Sequence, residues 1–392
     1  MKINFQKTKN IFKNIFVMLF IAFISFQMLN KPYIVSEGII DGISYCLEIL
    51  VPSLFPFMIL TSFIVNSGIS EKIQSIFSPI TKFLFFLPGC TAPAIFLSFV
   101  GGYPVGAKGL KSLYEKKEIN LEQLSRAMYF SVNSGPAFII SVVGDIFLKN
   151  HLFGVTLFFI QITLSLIIAS ICAVIARLNN TPFYYKEEKN FHKKDLLISQ
   201  ALVESCEETS ESMINMCVLV IVFCCALNIF KNLNIASIIL NLIKNMKINT
   251  SVFKSIFCCI MEMTSGCKTA ASLNAPLWVT AFAIGYGGTC AHMQITSILK
   301  NTNFRYSRFC LFRLINALGS IVLSNFILNF LGFSSEVFST FNYPARVKLS
   351  VNYHGSIILL ALCMYFTVCV NHMFQKNNQQ LIHKKINSNK NL

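Results

Sequence analysis

Phe99-Val-Gly-Gly-Tyr-Pro-Val-Gly-Ala-Lys108 and Ala283-Ile-Gly-Tyr-Gly-Gly-Thr-Cys-Ala-His292 interrupt otherwise apolar segments of the chain. Each has a companion interruption: Ser131-Val-Asn-Ser-Gly-Pro136 follows the first, and Met263-Thr-Ser-Gly-Cys-Lys268 precedes the second. Within a bilayer, non-helical backbone is tolerated only where protein buries it or where it lines a polar cavity. Corresponding breaks in two halves of a membrane chain therefore indicate the substrate site of a transporter.

The composition is that of a polytopic membrane protein. Hydrophobic residues make up 54% of the 392 positions and charged residues 13%, against about 25% charged residues in soluble domains. The lysines of the first 13 residues precede an apolar stretch at 15–29, which resembles a signal sequence. No small-x-small cleavage site follows, so we expect a retained first helix.

Apolar runs of spanning length predict an all-α fold with about eight crossings. Two further apolar segments, 83–105 and 252–273, contain breaks at Gly101–Gly106 and Thr264–Lys268, and are predicted to be re-entrant hairpins. The predicted crossings cover residues 14–30, 43–65, 128–148, 152–176, 212–230, 277–299, 312–332 and 353–374.

The distribution of basic residues predicts the orientation in the membrane. With a cytoplasmic N-terminus, cytoplasmic segments hold 24 of the 33 Lys and Arg residues, the opposite side holds 8, and Lys268 lies within a predicted hairpin, as the positive-inside rule expects. The net charge of +16 is thus explained by topology and by contact with anionic membrane lipids, and it does not indicate nucleic-acid binding.

The order of segments predicts two repeats of opposite orientation. Residues 1–42 form an N-terminal arm and first transmembrane helix, and 43–176 the first repeat. Residues 177–211 are a polar cytoplasmic linker, 212–332 the second, inverted repeat, and 333–392 the last transmembrane helix and a basic tail. Asn120, with Gln123 three residues on, predicts the N-cap of a cytoplasmic amphipathic helix over 110–127.

The first glycine-rich stretch is a candidate anion site. Gly102 and Gly106 allow close approach of the backbone, and Pro104 suits the first turn of a new helix whose free N–H groups attract an anion. Tyr103 and Lys108 lie beside them. The alternative is that Gly102 and Gly106 are a helix-packing motif.

Polar residues beside the other breaks complete the candidate substrate site. Asn133 and Ser134 adjoin one break, and each either binds a solute or satisfies broken backbone. In the second half, the matching residues are Gly287, Gly288, His292 and Gln294. The sequence favours neither of two interpretations of His292, as a substrate-binding residue or as a hydrogen-bonded packing residue.

Ionisable residues inside apolar segments are functional candidates by default. Glu262 and Lys268 flank Gly266, and they either bind solute or neutralise one another. Glu48 and Glu262 are candidates for ion coupling. The sequence shows neither metal-ligand spacing nor a catalytic dyad, so no enzyme, catalytic residue, metal or cofactor is expected.

These residues resemble the YlbJ-type sporulation integral membrane proteins of the nucleoside-recognition (Gate) family. The resemblance rests on ordered motifs that span most of residues 43–320: Pro52-Ser-Leu-Phe-Pro-Phe57, Leu87-Pro-Gly89, Gly102-Tyr-Pro-Val-Gly-Ala-Lys108, Asn133-Ser-Gly-Pro136, and a block from Met261 to Arg313 with Glu262, Gly266, Gly287, Gly288 and His292-Met-Gln294. Departures are Gly101, where a Ser often stands, and Ser134-Gly135.

The resemblance implies a sporulation transporter that moves dipicolinate from the mother cell towards the forespore. Two helix N-termini with Lys108 and Lys268 would meet the two carboxylates of dipicolinate, and Tyr103 its ring. The implied location is the mother-cell-derived outer forespore membrane of a bacterium. The alternatives are a nucleoside or other small-anion transporter and a non-transporting scaffold for spore envelope assembly; a homo-oligomer is compatible with each.

The charge bias generates a test of topology. The N-terminus, residues 177–205 and the C-terminus should be cytoplasmic. A cysteine introduced beside Lys189 should therefore resist an impermeant thiol reagent in intact cells and react after lysis, measured against the labelling of the native cysteines. Rapid labelling in intact cells would reverse the orientation.

Overall fold

The computed structural model describes residues 25–179, 198–233 and 249–330, together with positions 18, 22, 23 and 239. These ranges contain helices and turns and no strand, which confirms the all-α class. Positions 14–17, 19–21 and 24 of the predicted crossing at 14–30 lie outside the described residues. The predicted crossing at 353–374, the basic tail and residues 180–197 of the predicted linker also lie outside them.

The helices are numbered here in chain order. They are α1 Pro32–Asn66, α2 Ile69–Leu84, α3 Ala92–Gly101, α4 Tyr103–Glu115, α5 Leu121–Ser131, α6 Ala137–Phe147, α7 His151–Leu178, α8 Ile198–Asn232, α9 Thr250–Met261, α10 Met263–Ser272, α11 Leu277–Tyr286, α12 Gly288–Ile298 and α13 Tyr306–Phe330. The π-type turn Tyr45–Leu50 lies inside α1, and α6 is wound with π-type bonds.

Four of the described helices, α1, α7, α8 and α13, are long and apolar enough to cross a membrane. Only 17% to 39% of their most apolar windows is buried within the protein, so most of that surface is available to lipid. They correspond to the predicted crossings 43–65, 152–176, 212–230 and 312–332. The bent pair of α2 and the segment Gly89–Gly101 raises the number of spans to five at most.

The segments α3–α4 and α9–α10 fold into antiparallel helical hairpins. A Cβ built on Gly106 would lie 2.5 Å from Ser98 Cβ, and one built on Gly109 would lie 2.9 Å from Ala94 Cβ. The two arms of the first hairpin are therefore in close contact along their length. The reversal occurs at Gly102, whose φ of +81° is the left-handed conformation that glycine adopts without strain.

The hairpins differ from the predicted ones in where the chain reverses. The first spans 92–115 and not 83–105, and Gly106 lies inside α4. In the second, the break is at Glu262 and not over Thr264–Lys268. Gly266 serves packing instead, because a Cβ there would lie 2.4 Å from Cys259 Cα on the facing arm.

The segments α5–α6 and α11–α12 are broken helices that continue past an interruption. Non-helical residues 132–135 separate the first pair, and Gly287, with φ +89°, separates the second. They correspond to the predicted crossings 128–148 and 277–299, which were expected to carry glycine breaks. Asn120 and Gln123 form the predicted capping box, at the start of α5. The predicted single helix over 110–127 is wrong, because α4 ends at Glu115 and α5 begins at Leu121.

The two halves contain the same order of elements. Each has a long helix, a hairpin, a broken helix and a second long helix: α1, α3–α4, α5–α6 and α7, then α8, α9–α10, α11–α12 and α13. Helix α2 is additional, and α8 begins inside the segment predicted as linker. The first long helices of the halves pack together, as do the last. The opposite orientation of the halves stays a prediction.

Replacing Gly266 with Ala should disrupt the second hairpin. The added Cβ meets backbone that cannot rotate away, and overpacking of this kind costs about 1–3 kcal/mol. The melting temperature of the detergent-purified protein should fall. Gly319→Ala is the control, since its nearest neighbour is the mobile end of the Leu164 side chain at 2.9 Å. Equal melting temperatures for the two variants would contradict the close packing.

Candidate functional site

All four interruptions, at the two hairpins and the two broken helices, open on one cavity. Its empty volume is about 560 Å³, a figure that includes the open space at its mouth. The wall is mostly apolar. The lining consists of Leu50, Leu54, Met58, Gly101, Gly102, Tyr103, Pro104, Ser134, Gly135, Phe138, Met216, Val220, Glu262, Met263, Thr264, Gly287, Cys290, Ala291 and Gln294.

Within each half, the hairpin tip lies against the interruption of the broken helix. A Cβ on Gly102 would lie 3.3 Å from the Gly135 nitrogen, and one on Gly135 would lie 2.9 Å from the Val100 oxygen. In the second half, a Cβ on Gly288 would lie 2.9 Å from the Met263 nitrogen. Backbone therefore meets backbone at both places, and side chains larger than hydrogen would separate the elements.

Between the halves, each hairpin tip reaches the broken helix of the other half. The Tyr103 hydroxyl would lie 2.5 Å from a Cβ on Gly287. In the reciprocal contact, Ser134 Oγ donates to Met263 Sδ at 3.4 Å. The cavity is thus closed on two sides by equivalent contacts.

Glu262 holds the tip of the second hairpin with its carboxylate. Its backbone is extended, and the side chain accepts hydrogen bonds from Thr264 N at 2.8 Å and Ser265 N at 2.6 Å. The carboxylate thereby satisfies free N–H groups at the N-terminus of α10, where the helix dipole favours negative charge. In the described part of the chain, the N-cap residues of α4, α6 and α12 make no side-chain cap, and these N-termini also adjoin the cavity.

Arg313, on α13, connects the interruptions from behind the cavity. Its side chain is 1% exposed and lies with its Cζ 5.5 Å from the centroid of the Tyr103 ring. The guanidinium donates to five oxygen atoms: Val132 O at 2.7 Å, Tyr103 Oη at 3.1 Å, Ile284 O at 3.2 Å, and Asn133 Oδ1 and Tyr286 O at 3.3 Å.

The predicted site residues divide into those that line the cavity and those that do not. Those in the lining are Gly102, Tyr103, Ser134, Glu262, Gly287 and Gln294. Those outside it are Glu48, Gly106, Lys108, Asn133, Gly266, Lys268, Gly288 and His292.

The two predicted lysines are exposed and point to other partners. Lys108 Nζ donates to Ser212 Oγ on α8. Lys268 Nζ lies 4.5 Å from the centroid of the Tyr45 ring, a cation–π contact. The structure does not bring either to the cavity, and no Lys or Arg is among the described residues of its lining. Glu48 is exposed on α1.

Asn133 and His292 are buried and fully engaged by protein groups. Asn133 donates to Phe130 O at 2.6 Å, and its side-chain oxygen accepts from Gln161 Nε2 at 2.6 Å. His292 contacts the Tyr306 hydroxyl at 2.6 Å and the Tyr286 carbonyl at 3.0 Å. In both cases, the side chain satisfies backbone or polar groups around a broken helix.

Arg313 is the residue that sequence reasoning missed. The cytoplasmic total of 24 basic residues includes Arg313, but α13 begins at Tyr306 and carries Arg313 into the protein interior. The signal was present, since an ionisable residue within an apolar helix is a functional candidate. Removing Arg313 from the count leaves the charge bias intact.

Comparison with known proteins confirms the family resemblance. Residues 47–180, which include the first hairpin and the first broken helix, match the Gate family model, described as nucleoside recognition. The chain is 22% identical over 333 residues to the sporulation integral membrane protein YlbJ of Bacillus subtilis (strain 168), covering 77% of this chain and 80% of that one. No solved structure matches the chain. The chain is thus a membrane protein similar to a sporulation protein.

Removing the Glu262 carboxylate should weaken the second hairpin. Glu262→Ala leaves two buried N–H groups without acceptors and should cost about 0.5–2 kcal/mol. Glu262→Gln keeps one side-chain oxygen and should cost less. The melting temperatures of the purified variants measure this order, with Glu48→Gln as the exposed control. Equal values for Glu262→Ala and the wild type would show that the cap contributes nothing.

Proposed function

We propose that this protein is a membrane transporter whose small polar solute binds in the cavity where the four interruptions meet. The observation that carries the proposal is this convergence. Each interruption gives up helical hydrogen bonds in an apolar chain, which is costly unless a cavity or buried protein groups take them up. A scaffold for spore envelope assembly, the alternative from another class, has no use for four interruptions at one point.

Dipicolinate is the solute that we propose first. Its support is the similarity to a sporulation protein and the three helix N-termini, of α4, α6 and α12, that adjoin the cavity without side-chain caps. Such ends attract carboxylates, and Tyr103 lies beside them. We further propose movement from the mother cell towards the forespore across the outer forespore membrane, with Glu262 as a candidate for ion coupling.

A nucleoside is the second candidate, and the charge of the lining favours it. The lining contains the Glu262 carboxylate, the neutral donors Gln294 and Ser134, and no Lys or Arg among its described residues. Neutral, hydrogen-bonding solutes suit such a wall better than a dianion does. The description of the matching family model as nucleoside recognition points the same way.

Uptake into proteoliposomes tests the proposal. Purified protein should accumulate labelled dipicolinate, measured by exchange against unlabelled solute, and a labelled nucleoside should be exchanged less. The opposite order would select the second candidate. Absence of exchange with both solutes, by protein that melts cooperatively, would contradict a transporter for either and favour the scaffold.

Gly287→Val should abolish this exchange, because φ +89° is closed to a β-branched residue and the new side chain meets the Tyr103 hydroxyl. Gly319→Ala is the matched control. Lys108→Gln, with its charge-retaining partner Lys108→Arg, tests whether the exposed lysine acts on the anion. Exchange equal to wild type in Lys108→Gln would assign anion attraction to the helix N-termini.

A further inference from the structure

The five oxygen atoms around the Arg313 guanidinium are of the kind that binds a monovalent cation. Three are backbone carbonyls, one is an amide oxygen, and one is a phenol oxygen. Each lies within 3.3 Å of a nitrogen of the guanidinium. Unwound carbonyls and the C-terminal ends of half-helices coordinate such ions in transporters with broken helices. Here a side chain of the protein itself occupies that position.

The carbonyls are available because helices end there. Ile284 and Tyr286 lie in the last turn of α11, and Val132 follows the last residue of α5. The final carbonyls of a helix have no partner within it and carry the negative end of the dipole. Two helix ends thus face the guanidinium.

No carboxylate neutralises Arg313 in the part of the chain that the structure describes. The ion pairs found there involve Lys111, Arg126 and His151. A buried charge without an ion partner is strongly unfavourable unless dipoles and hydrogen bonds replace its hydration. All five N–H groups of a guanidinium are donors in a fixed fork, and each of the three nitrogens of Arg313 has at least one acceptor.

We propose that Arg313 is a tethered cation: it fills an oxygen site that would otherwise take a free monovalent cation, and so makes closure of the interruptions independent of sodium. We call these five oxygens the Arg313 site. Because the guanidinium bonds Tyr103 at the first hairpin tip and Ile284 in the second broken helix at once, the contact between the halves at the cavity depends on its presence.

Removing the side chain should create a site for a free cation. Arg313→Ala removes the cation from the five oxygens, of which three keep one other neighbouring donor, from Tyr103, Gln161 or His292. Its melting temperature should fall by more than about 5 °C, as expected when a buried charge network is broken. Added guanidinium, at low millimolar concentrations far below those that denature, should recover about half of the loss or more by binding the folded state. Tetramethylammonium chloride at equal concentration, whose cation is bulky and donates no hydrogen bond, sets the baseline for ionic strength.

Two proteins serve as comparisons in the melting experiment, and one further variant is held in reserve for Arg313→Ala. Wild type and Arg305→Ala, which changes an exposed arginine before α13, should show no stabilisation by guanidinium. Arg313→Ser, whose short side chain also leaves room for guanidinium, replaces Arg313→Ala should the latter not be recovered from membranes. Equal responses to guanidinium in the Arg313 variant and in wild type would overturn the proposal and leave an ordinary structural arginine.

The second arm rests on the proposed transport function. Wild-type exchange of solute should be the same with sodium as with potassium inside and outside the liposomes, and the exchange lost in Arg313→Ala should return with guanidinium. A strict sodium requirement of the wild type would contradict the proposal. If no solute is exchanged at all, the melting experiment still decides the cation site, so failure of the transport function and failure of the Arg313 site are distinguishable.

Discussion

The hydrogen bonds of Arg313 satisfy backbone that the broken helices leave free, and the rest of the site depends on them. Four interruptions in apolar helices expose carbonyl groups that neither lipid nor an apolar side chain can satisfy. Arg313 supplies donors to carbonyls of both halves. Glu262 supplies acceptors to N–H groups at the second hairpin tip. A cation thus meets helix C-termini and an anion meets a helix N-terminus, as the helix dipole requires.

Small residues set how closely the interruptions approach. Gly102 and Gly135 bring two backbones together in the first half, and Gly288 does the same against Met263 in the second. Tyr103 then packs against both hydrophobic clusters of the protein. This residue therefore joins the two cores, lines the cavity and accepts a bond from Arg313.

The sequence predicted the membrane class, the hairpins, the broken helices and the capping box at Asn120, because each has a local signal such as apolar length, Gly-Pro pairs or cap spacing. It misplaced the second hairpin tip. The residues around Gly266 are of types common in turns, but Gly266 lies inside a helix and packs closely against Cys259. It also placed Lys108 in the site, although a side chain one turn into α4 points to α8. The role of Arg313 depends on contacts with residues far away in sequence, such as Tyr103, Val132 and Ile284, which no local pattern contains.

The two hairpins are alike in fold and unlike in charge. The two sides of the cavity that they form therefore differ in electrostatic character. At the first tip, Gly102 leaves the N-terminus of α4 without a side-chain cap. At the second tip, the Glu262 carboxylate already occupies the N-terminus of α10. An anionic group of the proposed solute would therefore be attracted to the first hairpin and repelled from the second, where a hydroxyl or amide donor would be preferred. A proposed solute with acceptors at one end and donors at the other would fit this cavity in one orientation. For the proposed dianion, a proton or cation would have to accompany any carboxylate that lies beside Glu262.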